Sequence, residues 1–234
     1  MPLILNIETA TNVCSVALSD GAETLAIRES HEKNIHAAKV TTFTKEVCLE
    51  AGMLFNQLNA VAVSMGPGSY TGLRIGVSTA KGLCYALGIP LISVSTLQSM
   101  ALAAAQLLEN EISGQDVLFC PMIDARRMEV YTALFNFKNI EKRKVEALII
   151  DENTFHDERE VYRIYYFGDG ADKCRDIFDN KDMIYLEGIA PSAKTMATIS
   201  SARYTQNKFE NVAYFEPYYL KDFIAGKPKV KGLR

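Results

Sequence analysis

The sequence predicts an α/β protein built from two related lobes, and three observations carry that expectation. Short runs of strand formers separated by turn residues open both halves of the chain. Helical stretches with one apolar side, or rich in alanine and leucine, follow them. The order of three strands, a helix, a strand and another helix appears in the first half and loosely again in the second. We place the boundary near residues 100 to 115 and divide the chain into a first lobe, 1–105, and a second, 106–234, with a C-terminal helix and a basic tail.

Leu3 to Glu8, Val13 to Ser19 and Glu23 to Glu29 read as strands, and the turn formers between them make an antiparallel meander. A helix is expected from about Ile35 to Ala51, because Val40, Phe43, Val47 and Leu54 recur at helical spacing. Its other side, Ala37, Thr41, Thr44, Cys48 and Ala51, is small enough for another helix to approach closely. Ala60 to Met65 reads as a buried strand that runs into Gly66-Pro67-Gly68. The helix predicted next, Thr71 to Leu87, has only Arg74 and Lys81 as charges, and its apolar residues wrap most of its circumference. Such a helix is expected to be buried on both sides, within this chain or against another one. Leu91 to Val94 is a further strand, and Ser95 to Leu108 a helix capped by Ser95 or Thr96. In the second half Val117 to Ile123, Glu129 to Asn136 and Val145 to Ile150 read as strands. Arg163 to Phe167 follows as a strand, then the loop Gly168-Asp169-Gly170, a helix to about Phe178, a short strand at Met183 to Leu186 and a helix from Ser192 to about Thr205.

With 234 residues, 48% of them hydrophobic, the chain can bury a substantial core. No apolar run approaches the roughly 20 residues needed to span a bilayer, and Met1 to Glu8 lacks the basic region that opens a secretory signal, so a cytoplasmic location without membrane contact is expected. The five cysteines, Cys14, Cys48, Cys84, Cys120 and Cys174, form no C-x-x-C pair and read as buried thiols. A net charge of −3 does not advertise nucleic-acid binding, but its distribution is uneven. Lys221, Lys227, Lys229, Lys231 and Arg234 stand against Asp222 alone, so residues 221–234 carry +4. That tail reads as a solvated segment or as a contact for RNA or a partner protein.

The segment Gly66-Pro67-Gly68-Ser69-Tyr70-Thr71-Gly72-Leu73-Arg74-Ile75-Gly76 is the most specific in the chain. A strand, a glycine-rich loop and a helix start in succession offer backbone N–H groups and a positive dipole end to an anion. The lysine of a P-loop is missing, and glycines needed for close packing are an equal alternative.

This line, continued by Ala80-Lys81-Gly82-Leu83, resembles the signature of the TsaB family and is similar to the matching stretch of its catalytic paralogue TsaD. The opening Ile4 to Thr11 resembles that family's start, in which the acidic residue and threonine hold the first phosphate-loop position of the actin, hexokinase and Hsp70 superfamily. Pro121 to Tyr131 resembles its second-lobe signature, and Glu216-Pro217-Tyr218-Tyr219-Leu220 its C-terminal one. The resemblance is dense over 1–131, patchy afterwards, and returns at 216–221.

The resemblance implies an actin/hexokinase/Hsp70-like two-lobed fold with a reduced second lobe. It also implies a subunit without catalytic residues of its own that binds TsaD and the ATPase TsaE and meets tRNA only through that complex. The reaction would be threonylcarbamoyl transfer to the adenosine beside the anticodon of tRNAs reading codons that begin with A. Glu8, Thr9, Gly66, Gly68, Ser69, Thr71 and Gly72 are the nucleotide-binding candidates. No cofactor of the chain's own is implied, with ATP at the surface shared with TsaD left open. The partner surface is expected on the two first-lobe helices, at His36, Thr41, Thr44, Cys48, Arg74, Val77, Lys81 and Tyr85, and the chain alone is expected to form a homodimer through it.

The residues offer little for independent chemistry. TsaD-like enzymes carry two histidines four apart on the first helix; here Val40 follows His36 at that distance, His31 and His156 lie elsewhere, and no metal site is expected. His36 reads as a capping or surface histidine. Ser69 is not in a G-x-S-x-G elbow, which argues against a peptidase. Asp124 and Glu129 read as hairpin ends, Arg126 and Arg127 as structural or interface charges, and Gly168-Asp169-Gly170 as a turn or an adenosine-phosphate loop. An ATP-binding phosphotransferase using Glu8, Thr9 and the Gly66 to Gly72 loop is the remaining alternative class.

Overall fold

A computed structural model describes residues 1–112, 116–178 and 183–221. The tail beyond Lys221 therefore lies outside the described residues. The first sheet contains β1 (Leu3–Glu8), β2 (Cys14–Asp20), β3 (Glu23–Ser30), β4 (Ala60–Gly66) and β5 (Leu91–Ser95) in the order β3-β2-β1-β4-β5. The first three strands form the expected antiparallel meander, and β1, β4 and β5 run parallel. The second sheet contains β6 (Val117–Asp124), β7 (Glu129–Asn136), β8 (Glu141–Ile149), β9 (Arg163–Phe167) and β10 (Met183–Tyr185). Read from β8, its order is β8-β7-β6-β9-β10, with the meander again antiparallel and β6, β9 and β10 parallel. The two halves thus repeat one topology.

The helices show where the halves differ. In the first, α1 (His36–Glu50) and α2 (Tyr70–Leu87) fill the crossovers β3 to β4 and β4 to β5. In the second, the same crossovers hold only α4 (His156–Arg159) and a single 3₁₀ turn at Asp172–Cys174. The helix expected from Gly170 to Phe178 is therefore replaced by that turn. Phe178, Cys174 and Phe155 nevertheless cover the sheet face that a helix would cover. The second lobe is reduced by shortening its crossovers, with its sheet kept whole.

All of β1 is buried, and its side chains alternate between the two faces of the sheet. Leu3, Leu5 and Ile7 pack toward α1 and α2 with Val40, Val47, Val77 and Cys84, while Ile4 packs on the opposite face with Met196 and Ile199. The latter two belong to α5 (Ala193–Thr205), which follows the second sheet in sequence but lies on the first. Its Ser200 hydroxyl donates to Asn6 Oδ1 at 2.7 Å, and Asn6 Nδ2 donates to Ser19 Oγ at 3.0 Å, so the amide buried mid-strand is bonded on both sides. Reciprocally, α3 (Thr96–Leu107), capped by Ser95 Oγ, packs on β6 and β7 of the second sheet. The two terminal helices sit between the sheets and join the lobes. Phe119 of β6 is fully buried beneath α3 with Leu97, Met100 and Ala104. Phe119→Ala is expected to lower stability by about 3–5 kcal/mol in urea titrations, from forfeited transfer energy and the cavity left behind.

Candidate functional site

A cleft of about 520 Å³ opens where the two sheets present the ends of their parallel strands. From the first lobe it is lined by Ala10, Thr11 and Asn12 after β1 and by Pro67 to Thr71 between β4 and α2. The second lobe contributes Ile123 to Arg126, Tyr131 and Asp169, and Tyr218 to Lys221 close one wall. Of the nucleotide candidates, Gly68, Ser69 and Thr71 reach this cleft; Glu8, Thr9, Gly66 and Gly72 do not line it.

The reason is the seat of α2. A Cβ on Gly68 would come within 2.2 Å of Ala10 O, one on Gly72 within 2.1 Å of Thr9 O, and one on Gly76 within 2.2 Å of Thr9 Oγ1. Gly72 and Gly76, four apart, share one side of α2, and Gly68 precedes its cap, so the loop and the helix start are laid directly on the turn between β1 and β2. Ser69 N–H donates to Ala10 O at 2.6 Å, and the Ser69 hydroxyl caps the helix by accepting Gly72 N–H at 3.3 Å. Two of the N–H groups at this helix start are thus bonded to the chain itself. Glu8 is fully buried, its Oε1 accepting Ala10 N–H at 2.6 Å. Burial pushes its carboxyl up to about 7 against the opposing pull of that N–H.

On the opposite side, Gly168-Asp169-Gly170 is a packed turn. A Cβ on Gly168 would meet Met122 O at 2.3 Å, and Gly170 N–H donates to that same carbonyl at 3.0 Å. Asp169 Oδ1 accepts Asp124 N–H at 3.0 Å. Asp124 and Glu129 end and open the two strands of a hairpin, as their sequence positions suggest, and each carboxylate is paired: Asp124 with Lys173, Glu129 with Lys221. Lys173 Nζ also donates to Glu129 O at 2.6 Å. These pairings are long-range and leave no trace in local spacing. The family-like Glu216 to Leu220 motif is the sequence signal for the wall it forms.

The wall belongs to a strap, residues 206–221, that runs back over the first lobe. Glu210 bridges Leu91 and accepts the Ser93 hydroxyl at 2.6 Å. Lys81 Nζ donates to Ala213 O and Phe215 O at 3.1 and 3.0 Å. Tyr218 N–H donates to Met65 O at 2.7 Å, and Tyr219 stacks on Tyr70 with ring centroids 4.9 Å apart.

The candidate partner residues divide into two groups. His36, Thr44, Cys48 and Val77 are buried. His36 is not a surface or capping residue: its ring Nε2 lies 3.2 Å from Val13 O, and Ile35 is the cap position. Lys81 is half-buried and holds the strap. Thr41, Arg74 and Tyr85 are exposed. Thr41 and Arg74, with Ala37, Thr71 and Ser78, edge a shallow groove between α1 and α2, and Tyr85 stands further along α2. The chain itself covers only one side of α2. Leu73, Val77 and Cys84 face the core, Ile75, Leu83 and Leu87 pack beside it, and the outer line is Thr71, Arg74, Ser78, Gly82 and Tyr85.

Among the described residues no three of His, Cys, Asp and Glu converge as metal ligands, and no helix is long and apolar enough to cross a membrane. All five cysteines are buried and unpaired.

The packed turn can be probed from both of its sides. Gly72→Ala should lower stability by about 1–3 kcal/mol in urea titrations, because a backbone carbonyl has to move for the new methyl. Because the folded Glu8 carboxyl titrates near 7 rather than at its ordinary 4.5, the native state favours its protonated form. Its contribution is fully present below about 4.5 and is lost as pH rises through 7. Glu8→Gln should therefore reduce the stability difference between pH 5 and pH 8 by about 1–3 kcal/mol.

The sequence profile of TsaD, tRNA N6-adenosine threonylcarbamoyltransferase, matches residues 28–227. The tRNA threonylcarbamoyladenosine biosynthesis protein TsaB of Haemophilus influenzae is 28% identical over 240 residues, covering 96% of this chain and 95% of that protein. Its counterpart in Escherichia coli is 29% identical over 96% of both chains. In structure the chain is similar to YeaZ from Pseudomonas aeruginosa, with a TM-score of 0.76 and 22% identity over 94% of this chain and all of that one. The fold is the two-lobed actin/hexokinase/Hsp70-like one, and the chain belongs to the TsaD family, matching its TsaB members along nearly their whole length.

Proposed function

We propose that this chain takes part in tRNA threonylcarbamoyladenosine biosynthesis as a non-catalytic subunit that binds and activates TsaD and recruits TsaE. The family and the role named for its TsaB relatives support the pathway. The observation that supports the non-catalytic reading is the seat of α2 on the β1–β2 turn, where Gly68, Gly72 and Gly76 serve close packing and the Ser69 N–H is spent on Ala10 O. The support for partner binding is the groove between α1 and α2. Its edges are Ala37, Thr41 and Ser78, short side chains that let a facing helix come close, with Arg74 and Tyr85 available as anchors. A partner that prefers this face in one of its own conformations would be held there, so activation would be a shift of population.

The test is size-exclusion chromatography with light scattering on the chain alone and mixed with TsaD and TsaE of the same organism. A homodimer alone that gives way to a complex with TsaD is expected; no association at micromolar concentration would overturn the reading. ATP with magnesium should leave the chain's melting temperature unchanged, whereas a phosphotransferase at a hundredfold its Kd would gain about 2.7 kcal/mol. Thr41→Arg should weaken association with TsaD at least tenfold while leaving the melting temperature of the chain within about 2 °C, because Thr41 is exposed and its replacement blocks the groove without entering the core.

A further inference from the structure

We propose that the tip of the β6–β7 hairpin, Arg126-Arg127, is a contact for the phosphate backbone of RNA. The inference rests on the proposed role in tRNA modification for its choice of RNA over an acidic protein. Both residues hold left-handed backbone angles, φ 74° and 51°, a region that favours glycine, and both side chains reach solvent. Two consecutive arginines in such a turn are a local cost that hairpin closure does not require, since glycine or asparagine would serve better. Neither guanidinium makes an ion pair or a hydrogen bond to another side chain among the described residues. The carboxylates that could neutralise them from the same hairpin are already engaged, Asp124 by Lys173 and Glu129 by Lys221. Asp169, the other carboxylate at the mouth, accepts the Asp124 N–H. Among the described residues the tip therefore presents two guanidinium groups without a carboxylate partner, beside a hairpin base whose own two carboxylates are paired with lysines.

Two further features suit a nucleic acid. Tyr218 and Tyr219, 41% and 37% exposed, stand in the same cleft wall and offer ring faces to unstacked bases. From Lys221, seated at that wall, the sequence continues with Lys227, Lys229, Lys231 and Arg234.

The double variant Arg126→Gly/Arg127→Gly tests this without risking the fold, because glycine accepts these backbone angles. Its melting temperature is expected to hold or rise. Affinity for an unmodified tRNA transcript, read by fluorescence anisotropy on the full-length chain alone and with TsaD, should fall about tenfold. The slope of log K against log salt should flatten by roughly 1–2, one unit for each phosphate that is no longer neutralised. Unchanged affinity and slope would overturn the proposal. So would intact RNA binding combined with weaker association with TsaD, which would make the arginines a protein contact. If the wild-type chain does not assemble with TsaD, the functional reading fails, and the same salt slope on the chain alone still decides the arginines. A wild-type chain that binds no RNA in either setting overturns the proposal.

Discussion

The loop into α2 and the first turns of that helix lie on the β1–β2 turn at glycines, and much of the molecule is arranged by that contact. Gly68 before the cap and Gly72 within the helix let backbone meet backbone, and Gly76 makes room for the Thr9 hydroxyl. Ser69 then serves twice, its N–H bonding the turn and its hydroxyl capping the helix. The contact fixes α2 in rotation as well as in height. Once Gly68, Gly72 and Gly76 face the turn, helical geometry sends Leu73, Val77 and Cys84 to the sheet and Arg74, Ser78 and Tyr85 outward. The same contact occupies the Ser69 N–H, one of the backbone donors at the helix start.

The strap extends this arrangement to the second lobe. Lys81 leaves α2 sideways to bond two carbonyls of the strap, satisfying acceptors that no sheet partner reaches. Further along, Tyr218 bonds the end of β4, Tyr219 covers Tyr70, and Lys221 crosses to Glu129. A chain segment without secondary structure thus connects α2, the central sheet and the hairpin of the other lobe. With α3 and α5 exchanged between the sheets, the lobes are joined through their cores as well as at the cleft mouth.

Strands and long helices were legible in the sequence because local pattern determines them. Leu3–Glu8, Glu129–Asn136 and Arg163–Phe167 fall where alternation and turn formers put them, and Ser95 and Ser192 cap the helices they precede. Residues 171–178 misled because their apolar positions suit a helical face, whereas tertiary contacts hold them in one turn with Cys174 and Phe178 inward. At the site, the glycine run offered packing and anion binding as equals, since both need backbone without a side chain. The spacing of four was a visible signal for packing along a helix; what lay opposite, Thr9 and Ala10, depended on the fold. His36, Thr44, Cys48 and Val77 failed as surface candidates for a related reason. Helical periodicity separates two faces but does not say which one meets the sheet.

A subunit that acts by docking needs a surface whose shape is settled before the partner arrives, because ordering it on contact would subtract from affinity. The outer faces of α1 and α2 meet that requirement from behind. Val40, Phe43 and Val47 fix α1, Leu73, Val77 and Cys84 fix α2, and both rest on a sheet whose central strand is wholly buried. The cleft is different in kind. Its walls are a turn, a hairpin tip and the strap, held by hydrogen bonds and by ion pairs at partly exposed side chains rather than by a continuous core. Such pairs weaken with salt and rearrange at small cost. The surface thus combines two kinds of construction, helices fixed from behind by a core and a charged mouth held by adjustable pairs.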